Sequence, residues 1–440
     1  MKVRSVVPIL LIAIALFISA FVLYALILTT EINWPNTFVY VSSVILAIFL
    51  IILILRYMLL IWFSYLSHHE KTHLPLAQRW PKVSVLVPVY NEGKIIDTTV
   101  RALMRQDYPD YEILLINDGS QDDTFRKLLR YQGDYEGITI KVIQQVNRGK
   151  AQALNAGIQA ASGELVFCMD GDTIIKPDAL RFMVRHFEDA RVGAVAGNVK
   201  VGNRGRLWTD LQALEYVEGL NLARQAQGFF AAVNIIPGPC GMFRKRALEE
   251  VGLYESTTFA EDCHLTLKLL VQGYRIVYEP EAICVTEAPS KLIDLLKQRY
   301  RWTRGIMQSI RLNRRAMFAW RESPTTSGTL LYMGFEAFIW PVMNVLANIV
   351  VLVIAGYYGI TLILILWWAQ LTMLDVIAAL YCVVSEGESN RLIIYGTFYR
   401  MFFILIIDVC KVFSTIDELL KVSMTWEKIT RRGGVKEQWI

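Results

Sequence analysis

Two long apolar segments at the start of the chain constrain its fold more than any other feature. Residues 5–30 and 36–55 carry no charged side chain. Because a helix needs about 20 apolar residues to cross a bilayer, residues 1–66 are predicted to form two transmembrane helices. A secretory signal peptide fits less well, since its apolar run is shorter and a small-residue cleavage site follows it.

Basic residues flank this helix pair at both ends. Lys2 and Arg4 precede the first helix, and Arg56, Lys71 and Arg79 follow the second. Lys and Arg beside membrane helices favour the cytoplasmic side. The pattern therefore predicts a multi-pass protein of the cell membrane (the inner or plasma membrane), in which the segment after the second helix is cytoplasmic.

The composition agrees with a membrane protein and disfavours several other classes. Of the 440 residues, 54% are hydrophobic and 19% are charged, against about 45–50% and about 25% in soluble proteins. A disordered, fibrous or wholly soluble chain is therefore not expected. The formal net charge of +5 disfavours a nucleic-acid binder, which usually has a concentrated basic surface. The six cysteines lack CxxC spacing, which disfavours a zinc site or a disulfide scaffold.

Between residues 79 and 288 the pattern becomes that of an α/β domain. Short apolar runs alternate with polar stretches of helical character, as expected where helices cover a parallel sheet. We predict a Rossmann-like α/β domain with a mostly parallel sheet, in which ligands bind beyond the carboxyl ends of the strands. The predicted strands are residues 83–89, 113–116 and 165–169, and the predicted helices are residues 94–106, 122–131, 150–161 and 178–187.

A second membrane region is predicted after residue 288. Residues 289–321 form a basic amphipathic stretch, which suits a helix in the membrane interface or an ordinary surface helix. Three apolar segments follow within residues 329–425, and the third contains charged residues, so part of it is expected to lie along the surface. Three full spans would place the basic tail, residues 426–440, outside, against the positive-inside tendency. The sequence leaves this conflict open.

Polar residues follow the predicted strands, where a ligand is expected. Asp170 and Asp172 lie two residues apart after one strand, so they can share Mg²⁺ or Mn²⁺, although a surface Asp-Gly turn is an alternative. Asp118 follows another predicted strand, where it either belongs to a helix-capping loop or contacts a nucleotide. Lys150 opens a helix after a glycine, where it either contacts a diphosphate or is solvated.

Two further motifs lie later in the chain. Asp262 precedes an amphipathic helix, where a carboxylate either favours the helix dipole or acts as a general base. Gln298, Arg301 and Trp302 lie on the basic amphipathic stretch. Trp302 is either an interfacial anchor or a flat surface on which a sugar ring stacks, and the adjacent arginine suits a phosphate.

Taken together, these residues resemble the motifs of a known family. The motifs occur in the order Asp118, Asp170-x-Asp172, Glu261-Asp262 and Gln298-x-x-Arg301-Trp302. This set resembles the processive, membrane-embedded glycosyltransferase family 2 enzymes, which synthesise cellulose, chitin, hyaluronan and poly-N-acetylglucosamine. The resemblance covers nearly the whole chain, because those enzymes also carry membrane helices on both sides of a cytosolic GT-A domain.

The resemblance implies a role for each residue. Asp262 is the expected catalytic base. The expected ligands of Mg²⁺ or Mn²⁺ are Asp172 and Asp170. The expected contacts to the nucleotide sugar are Asp118, Lys150, Asp170 and Arg301, and the expected contacts to the acceptor are Cys240, Gln298 and Trp302. One position departs from the family, which usually has Thr-Glu-Asp here, because Ala260 replaces the threonine.

The resemblance also implies a reaction. The chain length, the membrane segments and the lack of a visible regulatory domain look most like the bacterial poly-N-acetylglucosamine synthases. The expected activity is therefore the processive, inverting transfer of N-acetylglucosamine from UDP-N-acetylglucosamine into a β-1,6-linked polymer, which then crosses the membrane. The expected partners are a UDP-sugar donor, a growing polysaccharide acceptor, membrane lipids and a small membrane accessory subunit, without nucleic acid.

Three alternative functions share parts of this evidence. A hyaluronan, chitin or β-glucan synthase would use the same catalytic residues. A non-processive transferase to a polyprenyl-phosphate lipid would share the carboxylates but would not need the stacking surface at Trp302. A non-catalytic membrane scaffold is disfavoured by the complete set of carboxylates.

Overall fold

The computed structural model describes residues 37–71, 74–357, 359 and 361–424. One long helix precedes a nine-stranded sheet with its covering helices, and a second group of helices follows. The first predicted membrane helix (residues 5–30) and the basic tail (residues 426–440) lie outside the described residues.

Strands and helices alternate through the central part of the chain. The strands are β1 (Val83–Val89), β2 (Tyr111–Asp118), β3 (Gly133–Tyr135), β4 (Ile138–Gln145), β5 (Leu165–Cys168), β6 (Ile174–Ile175), β7 (Val192–Val201), β8 (Gly241–Arg244) and β9 (Arg275–Thr286). The helices are α1 (Thr37–Lys71), α2 (Ile96–Leu103), α3 (Thr124–Leu128), α4 (Lys150–Ala160), α5 (Ala179–Val184), α6 (Leu207–Leu214), α7 (Leu222–Phe229), α8 (Lys245–Glu250), α9 (Glu261–Val271), α10 (Leu292–Leu312), α11 (Pro324–Gly334), α12 (Trp340–Tyr357), α13 (Thr361–Ser385), α14 (Arg391–Tyr395) and α15 (Leu405–Leu419). Short π-helices span Glu215–Asn221, Phe335–Ile339 and Tyr399–Ile404.

The sheet has the strand order β3-β4-β2-β1-β5-β8-β7-β9-β6. Strand β1 lies between β2 and β5 and is parallel to both, with Val83 opposite Tyr111 on one side and Leu165 on the other. The prediction of a mostly parallel α/β sheet is confirmed. The sheet also contains antiparallel pairs, because β3 runs antiparallel to β4, and β8 runs antiparallel to both β5 and β7.

Burial on both faces explains why β1 is a continuous apolar run. Successive side chains of a strand point to opposite faces of the sheet. Val85 and Val87 join the hydrophobic cluster on one face, whereas Leu86 joins the cluster on the other. An alternating apolar and polar pattern would expose one of these faces, so helices must cover both.

Three helical segments of the described residues are long and apolar enough to cross a membrane: Thr37–Glu70, Pro324–Tyr357 and Leu364–Ser385. They pack together through aromatic contacts, in which Phe49 of α1 stacks on Trp340 of α12 with ring centroids 5.1 Å apart. The predicted third apolar segment, residues 392–422, is instead divided into α14, a π-helix and α15.

Charged residues within this helical region form ion pairs. Arg56 of α1 donates to Glu336 with an Nη2–Oε2 distance of 3.0 Å, and Arg400 donates to Asp375 with an Nε–Oδ1 distance of 3.0 Å. Charged groups at membrane depth usually face protein and pair with one another. These pairs therefore hold the π-helices and the apolar helices in register.

Helix α10 is held against two other parts of the chain. Arg304 donates to Glu418 of α15 with an Nε–Oε2 distance of 2.8 Å. Gly305 lies so close to the turn before α9 that a Cβ atom there would fall 2.5 Å from the backbone nitrogen of Ala260. Since real Cβ atoms do not approach backbone atoms so closely, only glycine allows α10 this position.

A buried carboxylate ties the amino-terminal half of the sheet together. Glu112 of β2 is 1% exposed and accepts hydrogen bonds from Ser84 Oγ (2.7 Å), the Ser162 nitrogen (2.7 Å) and Lys141 Nζ (2.9 Å). Burial alone would raise the pKa of Glu112, but these donors lower it from 4.5 to about 2. Folding therefore favours the ionised carboxylate.

We expect Glu112 to stabilise the fold in a pH-dependent way. Because its pKa is lowered in the folded state, the stabilisation is complete above about pH 4.5 and is lost as the pH falls towards 2. A shift of this size is worth ~3 kcal/mol. Thermal unfolding in detergent should therefore show Glu112→Gln less stable than wild type at neutral pH, with a smaller difference at pH 3.

The exposed Glu136 supplies the control for this experiment. Glu136→Gln removes a carboxylate without breaking a buried network, so its stability should follow that of wild type at both pH values. If Glu112→Gln loses as much stability at pH 3 as at neutral pH, the proposed dependence of stability on the ionisation of Glu112 is contradicted.

Candidate active site

The loop after β4 is organised by the carboxylate that ends β2. Asp118 is 4% exposed, and its oxygens accept hydrogen bonds from Gln145 Nε2 (2.7 Å) and from the backbone nitrogens of Arg148 and Gly149 (both 2.9 Å). A carboxylate bound by backbone N–H groups fixes the conformation of the loop that provides them. Asp118 thus positions the start of α4, and its expected nucleotide contact stays a prediction.

Helix α4 begins at Lys150, immediately after a glycine that turns the chain. Gly149 has a φ of +86°, in the region that favours glycine. This turn points the Lys150 ammonium group at the carboxyl ends of the strands. There it forms an ion pair with Asp170, and its Nζ lies 3.9 Å from Glu261 Oε1.

The charge on Lys150 is stabilised by its neighbours. Burial alone would lower the pKa of this ammonium group, but the carboxylates of Asp170, Glu261 and Asp262 outweigh burial and raise the pKa. About a third of the side chain stays exposed. The site therefore holds a permanent positive charge that a ligand from solvent can reach.

The turn after β5 brings two carboxylates to the same edge of the sheet. Asp170 faces Lys150, whereas Asp172 is 1% exposed. The backbone of this turn is fixed by Thr99, whose hydroxyl donates to the Gly171 carbonyl oxygen at 2.9 Å. The two carboxylates are therefore held on a rigid turn rather than on a mobile surface loop.

The chemistry of this pair fits a divalent cation that shares its ligands with a substrate. Among the residues that the structure describes, no group of three or more His, Cys, Asp or Glu side chains could hold a metal ion. Mg²⁺ commonly binds through only one or two carboxylates and takes its other ligands from water and substrate phosphates. Asp170 and Asp172 would supply those carboxylates.

Asp262 lies in the first turn of α9, near Lys150. Its Oδ1 accepts a hydrogen bond from the Cys263 nitrogen at 2.7 Å. Burial and the neighbouring carboxylate of Glu261 raise the pKa of Asp262, although Lys150 and Arg301 act in the opposite direction. A carboxylate with a raised pKa is a stronger base, as a proton acceptor requires.

The turn before β8 packs against the charged groups of the site. A Cβ atom on Gly238 would fall 2.8 Å from Lys150 Nζ, 3.6 Å from Asp262 Oδ2 and 3.9 Å from Asp170 Oδ1. Gly238 therefore lies against all three charged groups, and any larger side chain at this position would have to displace the Lys150 ammonium group.

Cys240, expected to contact the acceptor, is fully buried behind this turn. Its thiol lies 3.6 Å from the Ala282 carbonyl oxygen, and its backbone nitrogen donates to the Pro237 carbonyl oxygen at 2.9 Å. The structure thus places the Cys240 side chain inside the sheet and gives its backbone a role in the turn that carries Gly238. An acceptor contact by Cys240 stays a prediction.

The motif on α10 lies near the same region. Arg301 lies close enough to Asp262 to lower the pKa of that carboxyl group. Trp302 is half-buried, and the guanidinium carbon of Arg299 lies 4.2 Å from the centroid of its ring. Arg299 also donates to Gln298 Oε1. Gln298 and Trp302 are therefore ordered by their contacts with Arg299.

The structure thus brings together most of the residues predicted from sequence. Lys150 and Asp170 are in direct contact, and Asp262 and Arg301 lie near them. Sequence reasoning missed Gly238, which belongs to the Pro-Gly-Pro-Cys-Gly stretch before β8 and was detectable only as a local glycine signal. It also missed Arg299, whose surroundings depend on contacts distant in sequence.

Comparison with known proteins identifies the class. A family model described as glycosyltransferase like family 2 matches residues 81–305, which is just over half of the chain. The chain therefore belongs to glycosyltransferase family 2 and is a glycosyltransferase, as the motifs predicted.

Curated relatives point in the same direction. The poly-β-1,6-N-acetyl-D-glucosamine synthases of Staphylococcus epidermidis and Staphylococcus aureus (strain COL) are 36% and 37% identical to this chain over 224 residues. The aligned part is 51% of this chain and 54% of each relative, so the match spans about half the length of these relatives.

A solved structure shares the fold. The mannosyltransferase PcManGT from Pyrobaculum calidifontis, in complex with GDP-Man and Mn²⁺, superposes with a TM-score of 0.62 at 22% sequence identity. The superposition covers 86% of this chain and all of that one. The predicted GT-A fold is thereby confirmed.

The electrostatics of Asp262 predict a shift in the pH dependence of activity. Because burial and Glu261 raise the pKa of Asp262, kcat/KM should fall on the acid side at a pH above the usual carboxyl range. Glu261→Gln removes one cause of the shift, so the acid limb should move to lower pH. A pH profile of kcat/KM for sugar transfer measures this.

Two controls accompany this profile. Asp262→Asn should remove transfer at every pH, since the proton acceptor is lost. Glu249→Gln, at an exposed position on α8, should leave the acid limb in place. An unchanged limb in Glu261→Gln would show that Glu261 does not act on the ionisation that limits the rate.

Proposed function

We propose that this protein is a processive, inverting β-glycosyltransferase that polymerises N-acetylglucosamine from UDP-N-acetylglucosamine into a β-1,6-linked polysaccharide. One observation carries the reaction type: a carboxylate with a raised pKa, Asp262, lies beside the same glycine, Gly238, as the Lys150 ammonium group. The donor and the linkage are supported by the names of the curated relatives.

The proposed reaction is a single displacement. Asp262 takes the proton of an acceptor hydroxyl while that oxygen forms a bond to the anomeric carbon of the donor sugar. The bond from that carbon to the diphosphate breaks on the opposite side, so the configuration inverts and UDP leaves. Lys150 and Arg301 supply positive charge where negative charge develops on the diphosphate.

A divalent cation is the proposed cofactor. When bound, Mg²⁺ or Mn²⁺ would neutralise charge on the leaving diphosphate. Asp172 and Asp170 would hold it, because their turn follows β5 at the edge where the other charged groups meet. Asp118 would contribute by fixing the loop that carries Lys150.

The acceptor is proposed to lie on the motif of α10. Trp302 offers a flat ring for stacking on a sugar, and Gln298 offers its amide for a hydroxyl. A retained acceptor needs such a platform, whereas a single transfer to a polyprenyl phosphate does not. The Trp302 ring is held in place by its contact with Arg299. This fixed platform therefore favours a polymerase over the lipid-linked transferase.

We further propose a membrane location with the GT-A domain in the cytoplasm. Three apolar helices in the described residues have the length needed to cross a bilayer, and they pack on the polar elements around the site. The growing polysaccharide would leave the cytoplasm through the same chain. Membrane lipids and a small membrane accessory subunit stay predicted partners.

Loss of the proposed metal ligand should remove transfer. Asp172→Asn is expected to lower the rate of transfer by ~10³-fold, because charge on the leaving group is no longer compensated. Titration of Mn²⁺ in the presence of UDP should show a matching loss of metal affinity. The exposed Asp178 lies on a nearby loop, and Asp178→Asn should keep both properties. Chelator-resistant, near-normal turnover in Asp172→Asn would reject the proposed site.

Product analysis tests the proposed function directly. Membranes that contain the protein are supplied with one radiolabelled UDP-sugar at a time, and the product is sized and digested with linkage-specific glycosidases. We expect a long polymer from UDP-N-acetylglucosamine alone, cleaved by a β-1,6-specific enzyme, and none from Asp262→Asn membranes. Polymer only from UDP-glucose, or only from two donors together, would establish another synthase. A single sugar on an extractable lipid would establish a lipid-linked transferase.

A further inference from the structure

Arg299 is not among the residues to which the motif on α10 gives a role, yet it contacts two of them. Its guanidinium carbon lies 4.2 Å from the centroid of the Trp302 ring, within cation–π range. Its Nη1 donates to Gln298 Oε1. One guanidinium group therefore restrains both residues that are proposed to hold the acceptor.

This contact also determines which way the Gln298 amide faces. A guanidinium group has only donors, so the carbonyl oxygen of Gln298 must face Arg299. The NH₂ group of Gln298 is then directed elsewhere and can donate to a sugar hydroxyl. The orientation of this amide thus depends on Arg299.

Arg299 is itself fixed by a partner far away in the sequence. It forms a two-pronged ion pair with Glu215, in which the Nε–Oε1 distance is 3.0 Å and Nη2 donates to Oε2. The side chains are 3% and 10% exposed. A bidentate arginine–carboxylate pair fixes orientation as well as distance.

Glu215 is well placed to act as an anchor. It begins the π-helix Glu215–Asn221, and such π-helical turns are frequent at functional sites. The same turn is held by the hydroxyl of Tyr57, which donates to Glu218 Oε1 at 3.0 Å, and by Asn221, which donates to Asn198 Oδ1 at 2.7 Å. Glu215 therefore cannot move without disturbing α1 or β7.

We propose that the Glu215–Arg299 ion pair is the positioning device for the acceptor platform, holding the Trp302 ring and the Gln298 amide in the orientation that presents the acceptor hydroxyl to Asp262. This inference rests on the proposed function, since it assigns Trp302 to the acceptor. Buried ion pairs add little net stability compared with apolar residues, and fixing one arrangement is their best-attested use. Neither Glu215 nor Arg299 needs to touch the reacting atoms.

The test separates sugar transfer from donor hydrolysis. Purified full-length protein in detergent is given UDP-N-acetylglucosamine with and without an acceptor oligosaccharide, and UDP affinity is measured in parallel. Glu215→Gln keeps the size of the side chain but removes its charge. We expect it to lower the ratio of transfer to hydrolysis ~10- to 100-fold, since small displacements of reacting groups have effects of this size, while UDP affinity stays within about twofold.

A double-mutant cycle distinguishes positioning from general loss of stability. Trp302→Ala should lower the same ratio, and Glu215→Gln added to Trp302→Ala should lower it no further, because both changes remove one platform. Glu418→Gln is the matched control, since it breaks a similarly buried ion pair of the same helix, with Arg304. Its ratio should equal that of wild type.

The outcomes are separable. If the losses of the two single variants multiply in the double variant, the positioning role is overturned. It is also overturned if Glu215→Gln has a normal ratio of transfer to hydrolysis while Trp302→Ala has a lowered one. A normal ratio in Trp302→Ala would instead reject the acceptor platform of the proposed function. If Glu215→Gln fails to bind UDP, Arg299→Lys replaces it, because lysine keeps the buried charge but cannot form the two-pronged contact. The same lowered ratio is then expected.

Discussion

The ammonium group of Lys150 is the interaction on which the site depends. It faces carboxylates from two separate parts of the chain, Asp170 after β5 and the Glu261-Asp262 pair at the start of α9. Carboxylates this close to one another repel unless a positive charge lies between them. Lys150 therefore allows the end of the sheet and the start of α9 to share one cleft. Asp118 contributes indirectly, because its hydrogen bonds to the preceding loop decide where α4 begins.

Predictions from sequence succeeded where local pattern and fold class agree. The apolar run at residues 83–89 became β1 with the same bounds, and the charged residues after the strands meet at one edge because parallel strands end together. Contacts between distant residues were not accessible. The sequence around Glu215 does not indicate that it pairs with Arg299. The sequence around Gly305 likewise does not indicate that Ala260 lies beside it. The third apolar segment was predicted from hydropathy, which does not report the π-helix that divides it.

Polar contacts join the apolar helices α1 and α13 to the glycosyltransferase domain. The hydroxyl oxygen of Tyr57 in α1 lies 3.0 Å from Glu218 Oε1 in the π-helix Glu215–Asn221 and 3.1 Å from Asp375 Oδ1 in α13. Beyond α13, Lys200 of β7 pairs with Glu388 at 2.9 Å. Burying these groups costs free energy unless every partner is present. The network thus selects one arrangement of the sheet relative to α1 and α13, which apolar packing alone would not specify.

Opposing effects act on the pKa of Asp262, the proposed base. Burial and Glu261 raise the pKa of this carboxyl group, whereas Lys150 and Arg301 oppose the rise. Without the two cations, the pKa of this carboxyl group would be higher, and without burial and Glu261 it would be lower. In the proposed reaction, a diphosphate beside Lys150 and Arg301 adds negative charge near Asp262 and favours its protonation. Donor binding would then strengthen the base at the step where a proton must be accepted.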